Sequence, residues 1–484
     1  MTLFETKPVE VVLEQTGGPD GESKSGLKRR LGPFDLMGFG IGIVIGTGIF
    51  TLTGIEAKQH AGPAVVLSFV LAGVVSLLAA LSYAELASAV PTAGSAYTYA
   101  YATIGQLPAW IIGWDLVLEF ALGASVVARG WSGYLQNLFD LPTGLFGEES
   151  VVNVGAIAIV ALLAVVAVAG VKESARLTNA LVVVKVGICL FVIVAGAFFV
   201  KKANLSPFVP PAAGPDMTKS GLTRPVVQVV FGLEPSVFGF GGVLTAAAVV
   251  FFAYTGFEAT ANLSEETKKP ARDLPLGLLG TLLVATVLYV GVSLVVTGMV
   301  DYRQIDVGAP IASAFDSVGA GWASTLVSIA AVCGLTSVIL VDLVGMGRIG
   351  FAMSRDGLLP EKVGRVSPRF GTPVGVTIAT AVLVMVISGF VPLSALADLV
   401  SIGTLFAFVL VSIAVPVLRH TKPDLERPFR VPFSPVLPIV AALACLYLML
   451  NLSVETWLRF LAWLVIGLVV YLLYGRSHAH PTRA

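Results

Sequence analysis

Six ionisable side chains lie inside long apolar runs of this 484-residue sequence. A charge in apolar surroundings is costly, and it is usually retained where it binds a ligand, moves a proton or pairs with an opposite charge. The candidates for such chemistry are Asp115, Glu119, Arg129, Lys185, Glu258 and Asp342. We interpret Arg129 and Asp342 as members of structural ion pairs, which leaves the other four as the stronger candidates.

Lys185 lies near the middle of its apolar run. An amine removed from water gives up its proton more readily than a solvated one, so Lys185 is a candidate for proton coupling. Its fixed charge could also take the place of a bound sodium ion. A purely structural ion pair with Glu119 or Asp115 is the alternative, and the sequence leaves both interpretations open.

Three acidic residues of the six are further candidates for binding or proton transfer. Asp115 and Glu119 are four residues apart, which places both side chains on one face of a helix. Glu119 lies deeper in the run and could either partner Lys185 or face a cationic group of a ligand. Glu258 follows a glycine and could sense pH or act as a gate, or it could cap a short helix. We treat Lys185, Glu119 and Glu258 as candidate proton-coupling residues.

Glycines interrupt two of the apolar runs. Residues 40–50 read Gly-Ile-Gly-Ile-Val-Ile-Gly-Thr-Gly-Ile-Phe, and residues 251–258 read Phe-Phe-Ala-Tyr-Thr-Gly-Phe-Glu. Glycine weakens a helix, and in a membrane the freed amide groups suit a carboxylate while the freed carbonyls suit an ammonium group. Close helix packing explains the glycines equally well. A dinucleotide-binding loop is disfavoured because no strand–turn–helix context surrounds the first segment.

The surrounding sequence is too apolar for a soluble domain. Hydrophobic residues make up 56% and charged residues 12% of the chain, and its mean hydropathy is +0.89. Soluble domains carry about 25% charged residues. The scattered cysteines Cys189, Cys333 and Cys445, and histidines that occur only at segment ends or in tails, indicate neither disulfides nor a metal or haem site. We expect an all-α polytopic protein of the lipid bilayer, with no cofactor, metal or nucleic-acid partner.

A membrane-spanning helix needs roughly 20 mainly apolar residues, and this length identifies twelve candidate spans. They cover residues 34–57, 64–89, 101–136, 151–170, 176–200, 240–264, 276–300, 322–353, 373–391, 395–418, 434–451 and 455–474. The chain then divides into a tail, five helices, an external loop, five helices, two further helices and a second tail. These units are residues 1–33, 34–200, 201–239, 240–418, 434–474 and 475–484.

Lysine and arginine cluster in alternate connecting segments, which orients the spans. The clusters precede the first span and follow spans four, six, eight and ten. Their members are Lys24, Lys28, Arg29, Arg30, Lys172, Arg176, Lys268, Lys269, Arg272, Arg355, Lys362, Arg365, Arg369, Arg419, Lys422, Arg427 and Arg430, with Lys201 and Lys202 on the opposite side. We therefore expect both termini in the cytoplasm. The first 30 residues lack the apolar core of a cleavable signal peptide.

Five spans separate the two glycine-interrupted segments, so these segments cross the membrane in opposite directions. This spacing is the one that an inverted repeat of spans one to five and six to ten requires. Interrupted helices at matching positions of two inverted halves are typical of a midplane binding site for a small molecule.

At these residues the chain resembles the amino acid–polyamine–organocation superfamily, and within it the bacterial branch of the cationic amino acid transporter family. The matching segments are residues 42–50, 82–86, 113–123, 251–258, 265–266 and 352–360. The segment at 113–123, Gly-Trp-Asp-Leu-Val-Leu-Glu-Phe-Ala-Leu-Gly, is the most specific of them. The likeness extends over roughly residues 30–475.

The resemblance implies a LeuT-like fold with ten core helices in two inverted halves, two additional helices and alternating access. It assigns substrate binding to Val44, Ile45, Gly46, Thr47, Gly48, Phe252, Ala253, Thr255, Leu335 and Ser337. The substrate carboxylate would meet the backbone at residues 46–48, and its amino group would meet carbonyls of both interrupted segments. Leu335 and Ser337 would shape the side-chain pocket, and Lys185 matches the lysine of proton-linked members.

A proton-coupled amino acid transporter of the cell membrane is therefore our leading hypothesis. The substrate is open, because an apolar Leu335 disfavours arginine whereas Glu119 favours it. A polyamine would leave the amide donors at residues 46–48 unused. An amino acid-sensing transceptor and a membrane enzyme are less favoured, since neither a recognisable signalling domain nor a metal-binding cluster is evident. The loop at 201–239 is longer than in bacterial relatives and has no assigned role.

Overall fold

A computed structural model describes residues 31–90, 95–148, 150–170, 175–213, 221–232, 237–360, 363–367, 370 and 372–478. Regular secondary structure in these residues is helical, as the composition predicts. The basic residues Lys24, Lys28, Arg29, Arg30, Lys172, Lys362 and Arg369 lie outside the described residues, as do most of both predicted tails.

Twelve main helices run through the described residues. They are α1 (Pro33–Val44), α2 (Val65–Ala89), α3 (Gln106–Phe139), α4 (Val154–Ala169), α5 (Ala175–Ala197), α6 (Gly239–Val250), α7 (Pro270–Met299), α8 (Gly321–Arg355), α9 (Val374–Phe390), α10 (Leu393–Thr421), α11 (Val436–Leu450) and α12 (Val454–Val470). Shorter helical pieces are Gly48–Leu52, Thr53–Glu56, Ala57–Ala61, Gly62–Ala64, Ser95–Thr103, Lys202–Leu205, Gly221–Thr223, Val226–Phe231, Phe251–Tyr254, Phe257–Glu266, Tyr302–Gln304, Pro310–Ser317, Tyr471–Gly475 and Arg476–His478.

Eight helical segments of the described chain are long and apolar enough to cross a membrane. They are Gly48–Ala89, Gln106–Phe139, Ala180–Ala197, Gly239–Ala261, Pro270–Met299, Gly321–Arg355, Leu393–Thr421 and Val454–His478. Four shorter apolar helices, α1, α4, α9 and α11, occupy the remaining predicted spans. These lengths and compositions indicate a multi-pass membrane protein.

The predicted third span, 101–136, differs most from the structure. Two helices, Ser95–Thr103 and Gln106–Phe139, occupy this region. They meet at Gly105, whose φ of 118° lies in a region that residues with a Cβ rarely adopt. A hydropathy window does not detect such a break, because the apolar character continues through it.

Helix α3 lies at the centre of the helix packing. It contacts α8, α9 and α10, while α7 packs along α1 and α2, and α1 contacts α5. The pairs α2–α7 and α3–α8 each join helices that are five places apart in the chain. Large apolar side chains such as Val194, Leu283 and Leu473 are exposed on the outer faces, as expected of surfaces that contact lipid.

Two ion pairs join separate elements of the fold. Arg129 Nη1 lies 3.4 Å from Glu148 Oε2, and Arg129 Nε donates to Ser388 O at 2.9 Å. The predicted structural pairing of Arg129 is therefore confirmed. The buried carboxylate of Glu85 accepts two hydrogen bonds from Arg419, at 2.8 and 2.7 Å, which ties the end of α2 to the end of α10.

The predicted external loop at 201–239 is partly ordered against other elements. Val226 N donates to Leu452 O at 3.1 Å, and Val454 N donates to Arg224 O at 3.0 Å. These bonds attach the short helix Val226–Phe231 to the turn between α11 and α12. This part of the segment is therefore held against the helices by backbone hydrogen bonds.

Candidate functional site

The first interruption separates α1 from the helical turns that begin at Gly48. Helix α1 ends at Val44, and Ile45 is extended, with φ −74° and ψ 93°. Phe50 N then donates to Gly46 O at 3.3 Å as helical turns resume. Backbone groups next to this break lack regular helical partners, which makes them available to a ligand.

The second interruption follows the turn Phe251–Tyr254. Thr255 is extended, and Gly256 has a φ of 97°, which strains any residue with a side chain. A Cβ at Gly256 would also lie 2.4 Å from Cγ2 of Ile43. This glycine therefore allows the second interruption to pack on α1. Glu258 accepts hydrogen bonds from Gly256 N at 2.9 and 3.0 Å, so its carboxylate caps the turns that follow.

Two glycines of the first interruption have different surroundings. A Cβ at Gly48 would lie 2.3 Å from Cα and Cβ of Ala253, so close packing of the two segments accounts for Gly48. At Gly46 the nearest atom to such a Cβ is Cγ2 of Val338, at 3.5 Å, which is an ordinary contact distance. Close packing therefore explains Gly48 but not Gly46, for which ligand binding stays a prediction.

A buried cavity lies where the interruptions meet. Its free volume is about 40 Å³, enough for roughly three water molecules. The predicted residues that line it are Val44, Gly46, Thr47, Gly48, Glu119, Phe252, Thr255 and Glu258. Sequence reasoning did not assign the other lining residues to the site: Ile43, Phe120, Gly123, Val127, Gly256, Val338 and Asp342. The remaining predicted residues do not line the cavity: Ile45, Ala253, Lys185, Leu335 and Ser337.

The α8 wall of the cavity differs from the predicted wall. Leu335 is fully buried one turn before Val338, and Ser337 Oγ donates to Gly334 O at 2.8 Å. Successive residues of a helix are rotated by about 100°, so Ser337 points away from the side that Val338 presents. Val338 and Asp342, rather than Leu335 and Ser337, face the cavity.

Three carboxylates line the cavity. Glu119 of α3, Glu258 after the second interruption and Asp342 of α8 are 7%, 4% and 8% exposed. Asp342, predicted to belong to a structural pair, instead faces the cavity. Gly123 of α3 lies beside it, and a Cβ there would make an ordinary contact of 3.4 Å with Asp342 Oδ2. This acidic wall is complementary to a cationic group of a ligand.

Two hydroxyl groups complete the site. Thr47 is 1% exposed, and its Oγ1 has no hydrogen-bond partner among the described residues. An unpaired buried hydroxyl is costly, so Thr47 is suited to bind a ligand. The Tyr289 hydroxyl lies 2.6 Å from Val44 O and 2.9 Å from Ala253 O, and so connects the two interruptions. In the sequence, Tyr289 is one of several uncharged polar residues in the apolar run 276–300, a signal weaker than a charge.

Lys185 lies beside the first interruption rather than in the cavity wall. It is 1% exposed, and its Nζ donates to Gly42 O at 2.5 Å. Its stem packs on α8, where a Cβ at Gly334 would lie 3.1 Å from the lysine Cε. The ion pairs formed within the described chain do not include one from Lys185 to Glu119 or Asp115. Lys185 therefore connects α5 to α1 and α8.

Comparison with known proteins agrees with this architecture. The family model described as "Amino acid permease" matches residues 31–473. A methylthioribose transporter of Bacillus subtilis is 43% identical over 488 residues, which cover 99% of each chain. A branched-chain amino acid permease of the same organism is 44% identical over 491 residues, or 99% of this chain and 98% of that one.

A plant protein is similar over most of its length as well. The mitochondrial cationic amino acid transporter 3 of Arabidopsis thaliana is 32% identical, and the match covers 93% of this chain and 91% of the plant protein. All three of these relatives are transporters or permeases. The chain therefore belongs to the amino acid permease family, within the amino acid–polyamine–organocation superfamily.

Proposed function

We propose that this chain is a proton-coupled secondary transporter of amino acids in the plasma membrane. The observation that carries the proposal is the meeting of two interrupted helices at one buried cavity lined by acidic side chains. Its binding site is that cavity, and its transport cycle is alternating access. It acts as a carrier and not as an enzyme, as its family membership supports.

In this proposal all twelve helices span the membrane, with both termini in the cytoplasm. Helices α1–α5 and α6–α10 form the two inverted halves of a LeuT-like fold, followed by α11 and α12. The α2–α7 and α3–α8 contacts support this arrangement, because a two-fold axis relating the halves would bring corresponding helices together.

The substrate would bind through its shared α-amino and α-carboxyl groups. Its carboxylate would accept hydrogen bonds from the amides of Gly46, Thr47 and Gly48 and from the Thr47 hydroxyl, since half-helix amides attract anions. Its ammonium group would lie near Glu119 and Glu258 and the carbonyls of the interruptions. A cavity of about 40 Å³ holds only a few waters, so the two segments must separate for the substrate to enter.

Lys185 would couple transport to protons. A charged amine makes a stronger hydrogen bond than a neutral one, so proton release would weaken the tie from Lys185 to Gly42 O. Because Gly42 precedes the first interruption, this change would shift the balance between outward- and inward-open states. Glu119 and Glu258 are the other candidate proton carriers, as buried carboxyl groups of the cavity wall.

Uptake by proteoliposomes tests the proposal. Purified protein is reconstituted, and uptake of radiolabelled L-alanine, L-leucine and L-arginine is measured with and without an inward proton gradient. We expect uptake of a neutral amino acid that rises with the gradient and falls to the level of protein-free liposomes when a protonophore is added. Amino acid binding without any uptake would instead indicate a sensor.

A cationic amino acid or a polyamine is the second candidate substrate. The observation that favours it is the acidic wall formed by Glu119, Glu258 and Asp342, and the plant relative is described as a cationic amino acid transporter. Preferential uptake of arginine or spermidine would support it. Competition by unlabelled methylthioribose tests the substrate for which one Bacillus relative is named.

A further inference from the structure

A second cavity lies apart from the central one, on the side of the molecule that carries the 201–239 segment. Its free volume is about 390 Å³, which falls within the range of small-molecule binding sites. Its walls are formed by residues 56–60, which end the helical turns after the first interruption, and by α6. The start of α10 and the α11–α12 turn complete them. Residues 223–228 close it on the remaining side.

The walls of this cavity are held by hydrogen bonds between its elements. The two backbone bonds at 224–226 and 452–454 fasten the covering segment to the α11–α12 turn. Ser453 Oγ accepts from Thr456 N at 3.1 Å and so fixes the start of α12. On the opposite wall, Ser401 Oγ donates to Val249 O at 2.9 Å, which joins α10 to α6. The cavity is therefore a built feature of the packing.

One buried hydroxyl in this cavity lacks a partner. Thr245 of α6 lines the cavity and is 7% exposed, and its Oγ1 makes no hydrogen bond within the described chain. A buried hydroxyl without a partner is destabilising, and a bound polar molecule would remove this cost. Thr245 therefore indicates that the cavity is suited to a polar occupant.

Charged side chains of both signs surround the same space. The acidic members are Glu56, Asp398 and Glu455, and the basic members are His60, Arg224 and Arg459. His60 Nδ1 lies 2.7 Å from Glu56 Oε2, and Thr456 Oγ1 donates to Asp398 Oδ2 at 3.4 Å. A wall that presents both signs is complementary to a small molecule carrying both an ammonium and a carboxylate group.

We propose that this cavity is a second binding site for an amino acid zwitterion, facing the external side of the membrane and separate from the central cavity. The external location rests on the orientation given under the proposed function. Asp398 provides the acceptor for the ammonium group, and Thr245 donates a hydrogen bond to the ligand. The covering segment at 223–228 gives the otherwise unassigned loop a role in forming this site.

Equilibrium binding of radiolabelled L-leucine to the purified full-length protein tests the proposal. Gly46→Leu fills the central cavity, Asp398→Asn removes a negative charge from the second cavity, and Thr245→Val removes a hydroxyl group from it. We expect two leucines per wild-type chain and one for Gly46→Leu, and the remaining site should lose affinity when Gly46→Leu is combined with Asp398→Asn. Asp398→Asn alone should weaken the second site about tenfold or more, because it removes a charge-assisted hydrogen bond.

The control is Asp140→Asn, which makes the same change at an exposed position outside both cavities and should retain both sites. Thr245→Val preserves shape, so it also reports on the second site if Asp398→Asn elutes as an aggregate. A single site that Gly46→Leu abolishes would overturn the second-site proposal and leave the transport proposal intact. Binding that Asp398→Asn removes, together with no uptake by wild-type liposomes, would refute transport and retain the second site.

Discussion

Replacement of Lys185 by methionine should uncouple transport from the proton gradient while exchange of substrate continues. Methionine keeps an unbranched stem that can pack against Gly334, but it removes both the charge and the donor to Gly42 O. The side chain is 1% exposed, so water cannot readily replace the lost hydrogen bond. The substitution therefore tests the coupling role with little change in packing.

The size of the effect follows from two quantities. A hydrogen bond from a charged group contributes about 1.5–3 kcal/mol. It therefore shifts the equilibrium constant between conformations that make the bond and conformations that lack it by roughly 10- to 100-fold. A gradient of one pH unit supplies about 1.4 kcal/mol per proton, so one-to-one coupling concentrates the substrate about tenfold. The Lys185→Met protein should lose this accumulation and only equalise the two concentrations.

Proteoliposomes with an imposed proton gradient measure the accumulation ratio, and counterflow of labelled against unlabelled substrate measures exchange. Lys202→Met, at an exposed position of the 201–239 segment, is the matched control and should concentrate substrate like the wild type. If Lys185→Met reaches the same accumulation ratio with the same dependence on the gradient, then Lys185 does not couple transport to protons.

Three further substitutions address the site and the fold. Gly46→Leu should abolish substrate uptake with the helical circular dichroism unchanged, because the added side chain fills the central cavity; normal uptake would place the transported substrate elsewhere. Tyr289→Phe leaves two buried carbonyls without their donor and should destabilise the protein by about 1–3 kcal/mol, seen as a lower melting temperature in detergent; an unchanged melting temperature would contradict this. Glu85→Ala breaks the bidentate pair with Arg419, which is partly exposed, and should cost about 2–3 kcal/mol, whereas equal thermal stability would exclude a structural role.

The positions of the helices and their interruptions could be predicted from the sequence. Apolar length determines where a helix can cross a bilayer, and glycines within two such runs identified both interruptions. Glu119 and Glu258 also line the cavity. The sequence identified them as candidates because a carboxylate inside an apolar run is costly and usually has a function. These predictions depend on local composition, which a single sequence contains.

Contacts between helices were not predicted. Tyr289 joins the two interruptions through its hydroxyl, but nothing in its neighbourhood distinguishes it from a packed aromatic residue. Val338 and Asp342 replace Leu335 and Ser337 in the wall because the rotation of α8 about its axis is set by packing against α3 and α5. A shift of one residue rotates a helix face by about 100°, so sequence position alone does not settle such assignments.

The Tyr289 contacts bear on how a substrate could enter. Its hydroxyl has one proton to donate, yet it lies within hydrogen-bond distance of both Val44 O and Ala253 O. At least one of these carbonyls therefore lacks a full donor, and a substrate ammonium group with three protons could satisfy both. Because the cavity holds only about 40 Å³, such a substrate must first separate the two interruptions. Tyr289 thus stabilises the closed arrangement of the two interruptions, which substrate binding has to open. Binding of the ammonium group would supply the free energy for that opening.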